Sequence, residues 1–119
     1  MARVLLIEDE AIVRQVIEDA LERNGYEVLS FPDAEPALKT LDFARIDLIV
    51  TDLSMPTRGE ELIYTLRSSG IDLPIIILSG LVREQDYIPL QSLGANRILP
   101  KPFEVKLFLQ TIRELLEPS

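Results

Sequence analysis

Five short apolar runs alternate along this chain with five segments in which apolar residues recur at helical spacing. The apolar runs lie at residues 4–7, 26–31, 46–51, 73–78 and 97–99, and the helical segments at 11–23, 33–41, 60–67, 84–93 and 104–116. Runs such as Ile75-Ile76-Ile77 lack the alternation of apolar and polar residues that marks a half-exposed strand, which indicates burial on both faces. Strands of this kind separated by helices predict a parallel sheet covered on both faces, a doubly wound α/β sandwich.

Length and composition place this pattern in one small domain. With 119 residues, 47% of them hydrophobic, the chain is expected to form a single domain whose core needs no disulfides and no structural metal. It contains no cysteine and no histidine, which excludes a disulfide scaffold, a thiolate or imidazole metal site, a cysteine nucleophile and a Ser-His-Asp triad. Any metal must therefore be a hard ion bound by oxygen.

The balance of charge argues against direct binding of nucleic acid. The chain has 20 acidic and 12 basic residues and a net charge of -8, and such a surplus of carboxylates repels phosphate. The N-terminal apolar run is too short for a signal peptide or a membrane span. We therefore expect a cytoplasmic protein without membrane contact, and the lack of cysteine agrees with a reducing compartment.

Polar side chains follow four of the five predicted strands, at the point where each strand ends. In a doubly wound sheet, ligands bind at the carboxyl ends of the strands, so these residues are candidates for a site. Taken singly, each has an ordinary explanation as a helix-terminal charge, a turn residue or a solvated loop charge, but their joint placement favours a function. The residues are Glu8, Asp9 and Glu10 after the first strand, Asp52 after the third, Ser79 and Gly80 after the fourth, and Lys101 after the fifth.

These residue types fit phosphoryl-transfer chemistry. Clustered carboxylates raise one another's pKa unless a cation lies among them, and Mg²⁺ is the ion that a few oxygen ligands and several waters satisfy. An aspartate flanked by a metal ion and an ammonium can act as a nucleophile toward a phosphoryl group whose charge the two cations offset. This edge of the sheet therefore predicts a phosphoryl acceptor site.

Four segments of the chain resemble those of a response-regulator receiver domain, the phosphoacceptor part of a two-component signalling system. They are residues 4–10, 47–56, 74–80 and 94–103, and they occur in the family's order and spacing. The resemblance implies a flavodoxin-like sheet of order 2-1-3-4-5. It also implies one receiver domain over residues 1–119, with no output domain in this chain.

The resemblance assigns a role to each candidate residue. Asp52 is expected to be the phosphorylated aspartate, Ser79 the switch hydroxyl that moves toward the phosphoryl group, and Lys101 the lysine that pairs with it. Lys101 precedes Pro102, and the bond between these two residues is commonly cis in the family. Mg²⁺, or Mn²⁺ in its place, is expected on Glu8, Asp9, Asp52 and the backbone carbonyl of Ser54, with Glu8 binding through water.

The implied function is a phosphorylation-controlled signalling switch. A histidine kinase or a phosphotransfer protein would supply the phosphoryl group, and the chain would catalyse only its own phosphorylation and dephosphorylation, so it is not expected to be an enzyme. Phosphorylation would bias a surface toward a downstream protein target or a fused output domain. In the family that surface is formed by the fourth helix, fifth strand and fifth helix, through which a dimer can also form.

Two positions depart from the family's pattern on that surface. Ile98 stands where the family usually has the tyrosine or phenylalanine that acts as a rotameric switch. Pro89 would break the predicted fourth helix if it lay deep inside it, at a cost of about 3 kcal/mol. We therefore expect this helix to be broken or to start only near Ile88, with residues 81–87 irregular.

Three alternatives compete with the phosphoacceptor reading. An aspartate-nucleophile phosphatase of the haloacid-dehalogenase kind usually needs a second acid two residues after the nucleophile, where this chain has Ser54. A flavodoxin-like electron carrier needs a hydroxyl- and glycine-rich phosphate loop where this chain has acidic residues that repel a flavin phosphate. The third alternative is a receiver fold that binds partners without being phosphorylated.

Overall fold

Five parallel strands form one sheet in the computed structural model, which describes residues 2–40, 42–52, 59–80 and 87–117. The strands are β1 (Arg3–Ile7), β2 (Glu27–Phe31), β3 (Leu48–Asp52), β4 (Ile75–Ser79) and β5 (Arg97–Pro100). The helices are α1 (Ala11–Arg23), α2 (Ala34–Thr40), α3 (Gly59–Ser68), α4 (Tyr87–Leu93) and α5 (Val105–Leu116), with a 3-10 turn at Phe43–Arg45. The order β2-β1-β3-β4-β5 confirms the predicted topology.

The core consists of two apolar layers, one on each face of the sheet. All five residues of β3 and of β4 are buried, as the uninterrupted apolar runs predicted. Successive residues of a strand point to opposite faces, so Ile75 and Ile77 pack in one layer and Ile76 in the other. The first layer contains residues of α2, α3 and α4, and the second contains residues of α1 and α5.

The strand register brings the carboxyl ends of the strands together. Ile7 of β1 pairs with Thr51 of β3, so the residues that follow them, Glu8 and Asp52, are neighbours. Asp52 pairs in turn with Leu78 of β4, the residue before Ser79. Ser79 pairs with Pro100 of β5, the residue before Lys101. Each pairing therefore delivers one polar residue to the same edge of the sheet.

Two strands begin two residues later than the sequence predicted. The third strand was expected from residue 46, but residues 43–45 form a 3-10 turn, and the Asp42 side chain accepts a hydrogen bond from the Ala44 amide at 3.0 Å. Ile46 is buried although it lies outside the strand, which explains why apolarity alone misplaced the boundary. The fourth strand likewise begins at Ile75 instead of residue 73.

The fourth helix is described over Tyr87–Leu93, and because the residues just before it lie outside the described part of the chain, its expected start near Ile88 stays a prediction. Pro89 is the third residue of that described range. Residues 81–86, most of the segment expected to be irregular, lie outside the described residues.

Arg67 joins the ends of several elements at the edge of the sheet opposite the candidate site. Its guanidinium donates to the carbonyls of Ile71 at 2.9 Å, Leu73 at 2.8 Å and Gly94 at 2.7 Å. It also contacts the side-chain oxygen of Asn96 at 3.2 Å. The last turn of α3 is therefore tied to the chain before β4 and to the end of α4.

Gly94→Ala is expected to lower the free energy of unfolding by about 3 kcal/mol, from backbone strain and disturbed guanidinium hydrogen bonds. Gly94 has a φ of +126°, and a Cβ there would lie 2.7 Å from Nε of Arg67. Gly25→Ala is the matched control, because Gly25 has a φ of +86° but no atom within 4 Å of an added Cβ. Its expected cost is about 1 kcal/mol. Urea denaturation measures both, and equal losses would contradict the steric account.

Candidate functional site

The candidate site lies at the carboxyl end of the sheet and combines buried with exposed acids. Glu8 follows β1, Asp52 ends β3 and Ser79 ends β4, with relative exposures of 0%, 1% and 0%. Asp9 and Glu10 are exposed in the turn that leads into α1. Two carboxyl groups are thus removed from water, while two more remain at the mouth of the site.

Lys101 forms salt bridges with both buried acids. Its ammonium nitrogen donates to Oε1 of Glu8 at 2.5 Å and to Oδ2 of Asp52 at 2.6 Å. Its backbone N–H donates to the carbonyl of Ser79 at 3.0 Å, and the peptide bond to Pro102 is cis, as expected. The lysine therefore joins β1, β3 and β4 through one side chain and one main-chain bond.

Burial and mutual interaction shift the pKa values of these groups. Burial of Glu8 is the main cause that raises its pKa from 4.5 to about 7, and interaction with the Asp52 carboxyl adds to the rise against the opposing effect of Lys101. Burial alone would lower the pKa of Lys101, but the hydrogen bonds to Asp52 and Glu8 outweigh it and raise that pKa. One ammonium thus does not hold both buried carboxyls fully ionised near neutral pH.

The arrangement of oxygen atoms fits a hard divalent cation. One carboxylate oxygen from each of four residues lies within 4.8 Å of the others, and the four are Glu8, Asp9, Glu10 and Asp52. Oε2 of Glu8 is buried and lacks a hydrogen-bond partner within the described residues. An oxygen-only set that faces a single ammonium and includes an unsatisfied buried oxygen suits Mg²⁺, which keeps several waters beside a few carboxylates.

The structure brings together most of the residues that the sequence singled out. Glu8, Asp9 and Asp52 share the cation pocket, and Lys101 bridges two of them. Ser54 lies outside the described residues, so its carbonyl ligand stays a prediction. Glu10 joins the pocket although it was not assigned as a ligand. The acidic run at residues 8–10 was the available signal, but a run does not show which of its side chains turn inward.

Comparison with known proteins places the chain in a family. The model of the response regulator receiver domain matches residues 4–113. The chain belongs to the response regulator receiver domain family. This receiver is 36% identical over 115 residues to the response regulator MprA of Mycolicibacterium vanbaalenii, an alignment that covers 96% of this chain and 50% of MprA. It thus spans about half the length of the curated relatives that it matches.

Solved structures agree with the fold of the receiver. The chemotaxis protein CheY4 of Vibrio cholerae superposes with a TM-score of 0.88 at 31% identity, covering 98% of this chain and 99% of CheY4. The receiver domain of the sensor histidine kinase PA1611 from Pseudomonas aeruginosa superposes with a TM-score of 0.84 at 27% identity, covering 97% of each chain. That structure has a magnesium ion coordinated in its active site cleft.

Within the described residues, none of the helices is long and apolar enough to cross a membrane.

Stabilisation of the receiver by Mg²⁺ is expected to grow between pH 6 and pH 8. In the metal-free fold the pKa of Glu8 lies above its usual value, so the contribution of Glu8 to stability is present below pH 4.5 and disappears as pH rises through about 7. That loss is at most about 3 kcal/mol. Mg²⁺ binds the ionised carboxylates, so the stabilisation that it provides increases as pH rises. Below pH 7, binding of Mg²⁺ releases a proton from Glu8.

Thermal denaturation with and without Mg²⁺ at the two pH values measures this effect. Glu8→Gln is the control, because the amide cannot titrate and the Mg²⁺ increment should lose this pH dependence. Equal increments for the unaltered chain at pH 6 and pH 8 would show that Glu8 does not govern metal binding.

Proposed function

We propose that this receiver accepts a phosphoryl group on Asp52 in a Mg²⁺-dependent reaction and that phosphorylation changes its partner-binding surface. The observation that carries the proposal is the Asp52 carboxylate, which is 1% exposed, held by Lys101 at 2.6 Å and surrounded by three further acids. A structural role alone would not require three more carboxylates around a buried acid, because the repulsion among them is costly without a cation.

The reaction transfers a phosphoryl group from the imidazole nitrogen of a phosphohistidine to Asp52. A carboxylate oxygen forms the new bond to phosphorus as the nitrogen–phosphorus bond breaks, and the bonding electrons leave with the imidazole. Lys101 is positioned to offset charge on the transferred phosphoryl oxygens. When bound, Mg²⁺ adds positive charge at the same place, and Mn²⁺ is expected to substitute for it.

Ser79 links the chemistry to the rest of the fold. Its side chain is buried at the end of β4, and its carbonyl accepts from the Lys101 backbone. A hydroxyl at this position can donate to a phosphoryl oxygen on Asp52, and the residues that follow lead into α4. We propose that this donation shifts the surface formed by α4, β5 and α5, and that a dimer can form through the same surface.

Ile98 alters how that shift reaches the surface. It is 9% exposed and packs in the same apolar layer as Leu90 of α4, in the place of the family's aromatic switch. A branched aliphatic side chain has no large ring to rotate between buried and exposed positions. Coupling in this receiver therefore acts through the packing of α4 on β5.

We propose that this cytoplasmic chain is one receiver domain whose chemistry is confined to its own aspartate, so that it is not an enzyme toward other substrates. Its partners are a histidine kinase or phosphotransfer protein on one side. On the other side is a downstream protein or a domain fused to the receiver. Its net charge of -8 disfavours direct contact with nucleic acid.

Incubation with acetyl phosphate followed by intact-mass measurement tests the proposal. With Mg²⁺ present, we expect a mass gain of one phosphoryl group, and with EDTA in place of Mg²⁺ we expect none. A chain that stays unmodified in Mg²⁺ would refute phosphate acceptance and would favour the unphosphorylated binding module. Turnover of free phosphoesters would favour the phosphatase.

An apolar groove beside the site is the surface on which we propose that the phosphodonor protein docks. Ile12 and Val16 of α1 are 81% and 50% exposed, and Val105 at the start of α5 is 38% exposed. Together with Phe103 they line a groove of about 400 Å³ that reaches Lys101. A donor must place its phosphohistidine above Asp52, so a protein that covers this groove is held within reach of the acceptor.

Ile12→Asp is expected to reduce phosphoryl transfer from a kinase about tenfold or more and to leave acetyl phosphate labelling unchanged. The side chain is so exposed that its replacement should change stability by less than about 0.5 kcal/mol. Tyr64→Asp is the matched control, because Tyr64 is 66% exposed and α3 packs on the opposite face of the sheet. The assay uses phosphorylated histidine kinases from the same genome, and equal transfer to both variants would argue against docking at α1.

A further inference from the structure

A chain of polar contacts behind the candidate site links α1 to β2. One terminal guanidinium nitrogen of Arg14 donates to the backbone carbonyl of Glu8 at 2.7 Å, and Nε lies 3.9 Å from the carboxylate of Glu18. Glu18 accepts in turn from the hydroxyl of Ser30 on β2 at 2.6 Å. The side chains of Arg14 and Glu18 are 24% and 23% exposed, so these contacts are largely shielded from water.

These contacts orient the peptide unit that carries the acidic pair. The Glu8 carbonyl and the Asp9 amide belong to one planar group, so a bond to that carbonyl restricts the backbone on both sides of it. The Glu8 amide donates to the carbonyl of Phe31 at 3.0 Å, which fixes the other end of the residue. Glu10, the N-cap of α1, makes no capping side-chain hydrogen bond. Arg14 therefore restrains the backbone of this turn at the peptide that leads into the exposed Asp9.

We infer that Arg14 is a positioning residue for the cation site, because its bond to the Glu8 carbonyl sets the direction in which the Asp9 carboxylate enters the pocket. The inference rests on the proposed function, in which this pocket holds Mg²⁺. Arg14 touches neither the cation nor the phosphoryl group. Glu18 contacts the Arg14 guanidinium, and Ser30 donates a hydrogen bond to Glu18, so both residues help to orient Arg14.

Electrostatics and positioning predict opposite results when Arg14 is replaced. A guanidinium near the pocket repels a divalent cation, so removal of its charge alone would strengthen Mg²⁺ binding. Loss of the bond to the Glu8 carbonyl would instead free the turn and weaken binding. Partners that orient metal ligands typically contribute about 10-fold to 100-fold in metal affinity.

Calorimetric titration of the metal-free, unphosphorylated chain with Mg²⁺ separates these outcomes. Arg14→Met is expected to bind Mg²⁺ about 10-fold more weakly than the unaltered chain. Arg14→Lys, which restores a donor, should recover part of that loss. Arg23→Met removes the same charge from the exposed last turn of α1 and should leave the affinity unchanged.

The Mg²⁺ affinities of the Arg14 variants distinguish positioning of Asp9 from a purely electrostatic effect. Mg²⁺ affinity in Arg14→Met equal to or higher than that of the unaltered chain would overturn it, while phosphate acceptance on Asp52 would stand. An unaltered chain that binds no Mg²⁺ would overturn both. If Arg14→Met does not fold, the test uses Arg14→Lys. A Mg²⁺ affinity below that of the unaltered chain, together with a displaced Asp9 amide resonance in the metal-free chain, would support the inference. An unchanged affinity and an unchanged resonance would refute it.

Discussion

Asp52→Asn is expected to abolish phosphoryl transfer from acetyl phosphate completely and to make the metal-free fold more stable. The amide is a poor nucleophile and cannot take the place of the carboxylate that forms the phosphorus–oxygen bond. Asp52 is 1% exposed beside the buried Glu8, and one ammonium pairs with both. Removing one of the two negative charges leaves a matched pair of Glu8 and Lys101, which should stabilise the fold by about 1 kcal/mol.

Intact-mass measurement and urea denaturation in EDTA test the two parts of this prediction. Asp72→Asn is the matched control, because it removes the same charge from an exposed residue in the connection between α3 and β4. That variant should be phosphorylated normally and show unchanged stability. Mass gain in Asp52→Asn would mean that a different carboxylate of the pocket accepts the phosphoryl group.

Lys101→Met is expected to reduce phosphoryl transfer at least about 100-fold, because the cation that offsets charge in the transition state is lost. It should also destabilise the metal-free fold, since Glu8 and Asp52 lose the ammonium at 2.5 and 2.6 Å. Breaking a buried ion pair from one side costs about 3–5 kcal/mol, and part of that loss is relieved when the carboxyls take up a proton. Mg²⁺ should restore stability without restoring transfer.

Unfolding free energies measured in EDTA and in Mg²⁺, beside initial labelling rates, separate these effects. Lys39→Met provides the control, because Lys39 pairs with Glu35 at 3.1 Å on the surface of α2, where both side chains are well exposed. Its cost should be under about 0.5 kcal/mol. Wild-type stability of Lys101→Met in EDTA would show that the buried acids do not depend on the lysine.

Local patterns were sufficient for the elements of the fold. The helix over residues 11–23 was predicted with the bounds it has, since its apolar period ends at Asn24-Gly25 and Gly25 adopts a φ of +86°. The strands β3 and β4 were recognisable because they are buried on both faces and so tolerate no polar alternation. Boundaries failed where an apolar residue such as Ile46 is buried by a turn and not by a strand.

The exposure of individual apolar residues and the contacts between distant residues could not be predicted from the sequence, because both depend on how the elements pack. Ile12 belongs to the same apolar period as Ile17, yet Ile12 is 81% exposed and Ile17 is 2% exposed. Arg67 looks like an ordinary solvated charge at the end of a helix until its contact with the carbonyl of Gly94, 27 positions away, is known. Periodicity identifies a face of a helix, but what packs against that face depends on the rest of the fold.

The sequence by itself determined the order of strands and helices, the oxygen-only chemistry of the site and the residues that follow each strand. These are local properties of composition and spacing. Only the tertiary structure decided that Glu8 is buried while Asp9 and Glu10 stay exposed. It also decided that Lys101 bridges Glu8 to Asp52 and that Arg14 donates to the backbone of the turn at residues 8–10. The reason is physical: parallel strands bring together residues far apart in the chain, and burial in their register sets which carboxyls lose water and need a cation.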